Sequence, residues 1–229
     1  MRGLFVTGTD TGVGKSVLAA SICAALAESG ETVAAFKPAV TGTDEPAGDW
    51  PPDHELLAEA ASAGQAPGDV APYLFGPPLS PHLAAKLAGE TIEPSVLVER
   101  ARAAGEAGLL VCEGVGGLLV PLTPGYLVRD LAVDLGLPVV VAARTGLGTI
   151  NHTLLTVEAA RAAGLNVAGV AMTPWPARPE PIELSNLETV TSLGRVQVSG
   201  LPRTTPERLA EAGAALPLAD WLRPPVRKA

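Results

Sequence analysis

The stretch Leu4–Ser16, LFVTGTDTGVGKS, decides how the rest of the chain is read. A short apolar run passes into a glycine-rich turn ending in Gly-Lys-Ser, and the helix-forming segment KSVLAASICAALAES follows. Strand, glycine turn and helix together form the context of a phosphate-binding loop. Glycines let backbone N–H groups approach phosphate oxygens, and the helix N-terminus adds partial positive charge. The usual pattern is G-x-x-x-x-G-K-[ST]; here one extra residue separates Gly8 from Gly14. In this setting the extra residue reads as a larger loop. Gly12, Val13, Gly14 and Val17 then surround the nucleotide, Lys15 reaches the outer phosphates, and the Ser16 hydroxyl holds Mg²⁺.

Outward from the loop, apolar β-branched runs alternate with Ala/Leu-rich stretches, the pattern of βαβ units. Strands are expected at GLFVTG, TVAAFKP, GLLVCEG, LPVVVAA, NVAGVAM and VQVSGLP, with helices over roughly 15–29, 53–63, 95–107, 149–164, 182–194 and 205–213. Loops are expected at 38–52, 64–81, 121–127 and 173–181. The near-continuous apolar runs LLVC and VVVAA suit strands covered on both faces. The expectation is an α/β fold, a P-loop NTPase-like, doubly wound, mostly parallel sheet with helices on both faces. It forms one domain over residues 1–229, with 222–229 a frayed tail.

Composition narrows the function. With 47% hydrophobic residues but 3% aromatic, the core must be built from Ala, Val and Leu. A net charge of −8 argues against nucleic acid or an anionic membrane as partner. Cys23 and Cys112 lie in apolar runs without metal-ligand spacing, and no secretory or membrane-spanning pattern is present, so a reduced, cytoplasmic setting is expected. Only four lysines occur, and Lys15 and Lys37 stand where apolar strands end.

Ligands of such sheets bind at the carboxyl ends of the strands. The candidates are therefore Gly8–Ser16, Lys37–Thr43, Glu113–Gly117, Arg144–Asn151 and Thr173–Trp175. Lys37 is a second cation able to neutralise charge on a transferring phosphoryl group, or a strand-end lysine that snorkels. Thr41 and Thr43 follow it. Glu113 leaves a buried strand into a glycine bend, which suits a Mg²⁺ ligand or an ordinary ion pair. Asp53 is either the N-cap of its helix or a metal ligand. The turn before the helix at 149 is either a second anion site or ordinary initiation capped by Thr149 or Asn151. His82 and His152 read as structural, and Trp50 and Trp175 as lid or packing residues of proline-rich loops. The absence of a Ser-His-Asp or Cys-His arrangement fits phosphoryl transfer, which needs positioning and charge rather than a protein nucleophile.

Together, FVTGTDTGVGKS, KPAVTGT, SPH, CEGVGGLLVPL and LGTINHTLLT resemble the dethiobiotin synthetase family in order and spacing over roughly residues 1–172. The longer phosphate loop is a trait of that family. The resemblance implies a Mg-nucleotide-dependent cyclo-ligase acting on 7,8-diaminopelargonate, CO₂ and ATP. By the same resemblance Lys15 and Lys37 are catalytic, and Ser16, Asp53 and Glu113 hold Mg²⁺. Thr11 and Thr41 meet the carbamate or diamine, while Gly148, Thr149, Ile150 and Asn151 of a neighbouring subunit hold the substrate carboxylate, so a homodimer is implied. Three departures stand out. Gly12 replaces an acidic residue of some relatives, and Ser16 replaces the commoner Thr. Thr173 and Pro174 replace an Asn-Asp pair that reads adenine, from which relaxed base selection is expected. The rival reading is a partitioning or scaffold switch ATPase working through a protein partner. Its loop has a lysine where Asp10 stands, and the usual spacing.

Overall fold

Apolar runs too short for buried helices become strands, and the Ala/Leu-rich stretches between them become helices. The computed structural model describes residues 1–46 and 48–223. Its elements begin with β1 (Arg2–Gly8), α1 (Lys15–Glu28), β2 (Val33–Phe36), β3 (Val40–Thr41), α2 (Asp53–Ala60), α3 (Pro67–Val70) and β4 (Leu74–Phe75). There follow α4 (Pro81–Ala88), α5 (Pro94–Gly105), β5 (Leu109–Glu113), β6 (Pro121–Thr123), β7 (Tyr126–Leu127) and α6 (Val128–Leu135). The chain continues through β8 (Val139–Ala143), α7 (Thr149–Ala162), β9 (Val167–Trp175), α8 (Pro181–Gly194), β10 (Val198–Pro202), α9 (Leu209–Ala214) and α10 (Leu218–Trp221).

Six strands form one sheet in the order β10-β9-β8-β1-β5-β2, with every neighbouring pair parallel. Side chains alternate between its two faces, as the pleat requires. Phe5, Phe36, Leu110, Cys112, Val139 and Val141 join the buried cluster that α4 to α8 contribute to. Leu4, Val6, Ala35, Val111, Val140 and Ala142 join the one that includes Leu18 and Ile22 of α1, Leu56 of α2 and Trp221 of α10. Both faces are thus covered, and the doubly wound expectation holds.

Register delivers the chemistry to one edge. Val6 pairs with Glu113, Phe36 pairs with Cys112, and Gly8 pairs with Ala142. Lys37, Glu113 and the start of the glycine loop therefore leave the sheet side by side. The chain departs from β1 toward β5 and β2 on one side and toward β8, β9 and β10 on the other. β1 is the switch point, where a crevice opens between diverging connections.

The structure corrects several sequence expectations. Helices α4 and α6 were not foreseen, and the segment 64–81 contains α3 and β4 rather than plain loop. The segment 121–127 is a small antiparallel hairpin, β6 with β7. Trp175 ends a strand instead of lying in a loop, and the helix expected over 53–63 stops at Ala60. Beyond it, the Ser62 and Ala63 N–H groups donate to the Val33 carbonyl. The frayed tail expected at 222–229 falls mainly on 224–229, outside the described residues. Among the described residues no helix is long and apolar enough to cross a membrane.

Trp221 is fully buried, and it takes the place a side chain would occupy at Gly169 of β9: a Cβ there would collide with indole Nε1 and Cε2. Gly169→Ala should therefore cost about 1–3 kcal/mol through overpacking, read as a Tm lowered by several degrees in thermal denaturation. An unchanged Tm would show that α10 yields without cost.

Candidate active site at the switch point

Gly14 makes the loop-to-helix turn possible. It caps α1 at φ 84°, a left-handed conformation that a side chain disfavours. A Cβ there would also stand 2.9 Å from Thr173 Cγ2, so the loop rests directly on the end of β9. Two residues of the first helical turn, Lys15 and Ser16, then face the crevice.

Lys37 is the centre of the cluster. Its Nζ donates to Asp53 Oδ2 at 2.6 Å and to Glu113 Oε1 at 2.6 Å. Ser16 Oγ donates to the same Glu113 oxygen at 2.9 Å. Lysine and glutamate are almost wholly buried, whereas the Asp53 side chain keeps 39% exposure. Asp53 is not the N-cap: Pro52 holds that position, and Asp53 is the first helical residue, with its carboxylate on Lys37. Lys15 Nζ donates to the Asp10 carbonyl at 2.9 Å, folded back on its own loop.

Charge states follow from this packing. Burial alone would lower the Lys37 ammonium, but the Glu113 and Asp53 carboxylates outweigh it and hold it above the usual lysine range. Burial pushes Glu113 up; Lys37 opposes the rise and Asp53 adds to it. Burial also raises Asp53, yet Lys37 prevails and holds it below the ordinary range. Lys15 is lowered by burial against the pull of Glu113. Glu113 Oε2 is buried and has no hydrogen-bond partner.

That orphaned oxygen tests whether the residues suit Mg²⁺. Among the described residues no cluster of three or more His, Cys, Asp or Glu could hold a metal by itself. Mg²⁺, however, is commonly bound by one or two carboxylates together with substrate phosphates and waters. Glu113, Asp53 and the Ser16 hydroxyl are that kind of donor set, suited to an ion arriving with a nucleotide.

Two cavities meet here. One of about 420 Å³ is lined by Thr11, Lys15, Ser16, Lys37, Thr41, Asp53 and Glu113, among others. Its neighbour, of about 460 Å³, is lined by Val13, Thr173, Pro174, Arg144 and Arg203, among others, and the two share Gly12, Gly14, Val17 and Trp50. The fold thus brings together every nucleotide, catalytic and metal candidate read from the sequence, with Thr11 and Thr41. Gly148, Thr149, Ile150 and Asn151 line neither cavity. Gly148 caps α7, Thr149 Oγ1 donates to the Arg144 carbonyl at 2.6 Å, and Asn151 is exposed. Neither Thr149 nor Asn151 is therefore the cap that the sequence suggested.

Sequence reasoning missed two contributors. Arg203 follows β10, beyond the stretches that carry the family resemblance. Asn186 of α8 is buried and donates to the Thr145 and Gly146 carbonyls, fixing the turn before α7. No sequence signal pointed to Asn186, since its partner loop lies some 40 residues away.

Lys37→Ala should expose the cost of the two carboxylates. With the cation gone, Glu113 rises further, so the folded state binds a proton that the unfolded chain releases; stability then increases as pH falls through that value. In wild type Asp53, held below the ordinary carboxylate range, keeps its contribution throughout that descent and would lose it only in stronger acid. We expect the metal-free variant to be about 3–5 kcal/mol less stable near pH 8, with the gap closing toward pH 5.5 in Tm measurements under chelator. A gap independent of pH would contradict the charge assignment.

Known proteins bear on this site. A family model described as an AAA domain, AAA_26, matches residues 2–205. The ATP-dependent dethiobiotin synthetase BioD of Anaeromyxobacter dehalogenans is 49% identical over 175 residues, 75% of this chain and 76% of the relative. That of Bacillus subtilis (strain 168) is 37% identical over 202 residues, 88% and 87% of the two chains. Among solved structures, the MinC:MinD cell division protein complex of Aquifex aeolicus has a TM-score of 0.57 at 14% identity, covering 100% of this chain and 99% of that one. The cell division ATPase MinD of Pyrococcus furiosus has a TM-score of 0.53 at 16% identity, covering 93% and 88%. Those two likenesses concern the fold alone. The family model spans both the loop and the cluster, the sequence relatives extend over three quarters or more of both chains, and on that ground the chain belongs to the family of ATP-dependent dethiobiotin synthetases.

Proposed function

We propose that the protein is the Mg-nucleotide-dependent cyclo-ligase that closes the ureido ring of dethiobiotin. The observation that carries the reading is the Lys37–Glu113–Asp53–Ser16 cluster, set at the mouth of a phosphate loop in a cavity that also presents Thr11 and Thr41. One amine of 7,8-diaminopelargonate adds to CO₂ and loses a proton, giving a carbamate. A carbamate oxygen attacks the γ-phosphorus of ATP, ADP leaves, and a carbamic-phosphoric anhydride results. The second amine then attacks its carbonyl carbon, the ring closes, and phosphate departs.

No step needs a nucleophile from the protein, which suits a site built from cations and backbone N–H groups. Lys37 keeps its proton and faces the carbamate and transferring phosphoryl group; Lys15 leaves the Asp10 carbonyl for the outer phosphates. Glu113, Asp53 and Ser16 would hold Mg²⁺, which when bound neutralises phosphate charge. Thr11 and Thr41 orient the diamine end.

The carboxylate of the substrate is assigned to Gly148–Asn151 of a second copy in a homodimer. Two facts support this: these residues lie outside the cavities of their own protomer, and Leu147 and Leu155 beside them are 95% and 57% exposed. Base selection is assigned a weak role. Among the described side chains lining the 460 Å³ cavity there is no carboxylate or carboxamide, so Thr hydroxyls are the only side-chain acceptors offered to an adenine amino group.

Phosphate release from Mg-ATP should require both 7,8-diaminopelargonate and bicarbonate, and CTP or GTP should serve with comparable kcat/KM. Release without the diamine would instead favour a switch ATPase, and a strict ATP preference would contradict the base assignment. For the shared site, Lys37→Ala and Asn151→Trp protomers, each inactive alone, should regain up to roughly a quarter of wild-type turnover when mixed, because such heterodimers retain one intact site. A mixture with no recovered turnover would place the carboxylate site within one protomer.

A further inference from the structure

The outer bend of the phosphate loop, Asp10 and Thr11, is tied from two sides. Lys15 Nζ holds the Asp10 carbonyl at 2.9 Å. Opposite, Arg144 Nη2 donates to the Thr11 carbonyl at 3.2 Å and faces Asp10 Oδ2 at 3.7 Å. The other carboxylate oxygen, Asp10 Oδ1, accepts from the Thr11 N–H at 2.7 Å.

The sheet puts Arg144 there. Gly8 pairs with Ala142, and the Thr9 N–H donates to the Ala142 carbonyl at 3.0 Å, so the second residue beyond Ala142 stands beside the loop. Arg144 also lines the 460 Å³ cavity with Gly12, Val13 and Gly14. It is therefore a cation at the nucleotide cavity, engaged by an acidic residue of the loop itself.

The weakness of that engagement matters. Both side chains are more than half exposed, at 62% and 57%, and exposed pairs are weak and screened by salt. A phosphate offers higher charge and oxygens spaced for two-pronged binding by a guanidinium. We propose that Arg144 is a phosphate-binding residue of the nucleotide site held in reserve by Asp10, whose carboxylate gives way to a phosphate oxygen when a nucleotide enters. This rests on the nucleotide reading above. The exchange involves ion pairs and hydrogen bonds only, and it makes Asp10 a built-in competitor that weakens nucleotide affinity.

Calorimetric titration with Mg-ATP tests it on wild type, Asp10→Asn, Arg144→Ala and the double variant. Asparagine keeps an oxygen for the Thr11 N–H while removing the charge. Asp10→Asn should tighten binding about threefold or more, and Arg144→Ala should weaken it about tenfold. The double variant should bind like Arg144→Ala, and the Asp10→Asn gain should shrink at high salt. A gain that survives in the double variant would be general charge repulsion and would overturn the proposal, as would unchanged affinity in Arg144→Ala. Arg144→Gln replaces the alanine variant if the latter does not fold. Wild type that binds while the variants show no such pattern would leave the nucleotide reading standing alone; wild type that binds no Mg-ATP would remove both.

Discussion

The site depends on one buried ammonium. Lys37 sits between Glu113 and Asp53 at 2.6 Å from each, and its own burial would otherwise favour losing the proton. Three separate elements must converge to keep it charged: the end of β2, the end of β5 and the first turn of α2. Buried ion pairs rarely add net stability, because desolvation offsets the Coulomb gain. An arrangement that costs this much and leaves Glu113 Oε2 without a partner is better explained by what it can bind. The family membership and the cluster point in the same direction.

The scaffold itself is general. Cell division ATPases share the sheet at identities that carry no functional inference, which is the usual separation between a fold and the sites grafted onto it. The chemistry of this chain sits at strand ends: a loop with one extra residue, a lysine after β2, a glutamate ending β5 and an arginine after β8. Each is placed by register, since Val6, Gly8 and Phe36 have fixed partners on neighbouring strands. The same placement gives the 460 Å³ cavity two arginines and, among the described residues, no acidic side chain in its lining.

Much of this was legible from residues alone because its signals are local. The glycine loop, the apolar runs and the charges that end them can be seen within a dozen residues. Helix α6 could have been read too: Val128, Leu131, Ala132 and Leu135 are its buried face, and left-handed Gly136 ends it. Helix α4 has a proline at its start and Gly89 at its end. Both were passed over because short helices in proline- and glycine-rich surroundings resemble loops. Asp53 was ambiguous for a different reason, since a carboxylate at a helix start satisfies the capping pattern whether or not a distant lysine claims it.

The sequence by itself determined the alternation of strands and helices, the phosphate loop and the short list of charged residues at strand ends, because these follow from periodicity and backbone chemistry over short spans. Only the tertiary structure decided that Lys37 bridges Glu113 and Asp53, that Thr173 supports Gly14, that Asn186 fixes the turn before α7 and that Arg144 faces Asp10. Those contacts join residues from 16 to well over 100 positions apart. Strand order and register create them, and neither is written in any local stretch of the chain.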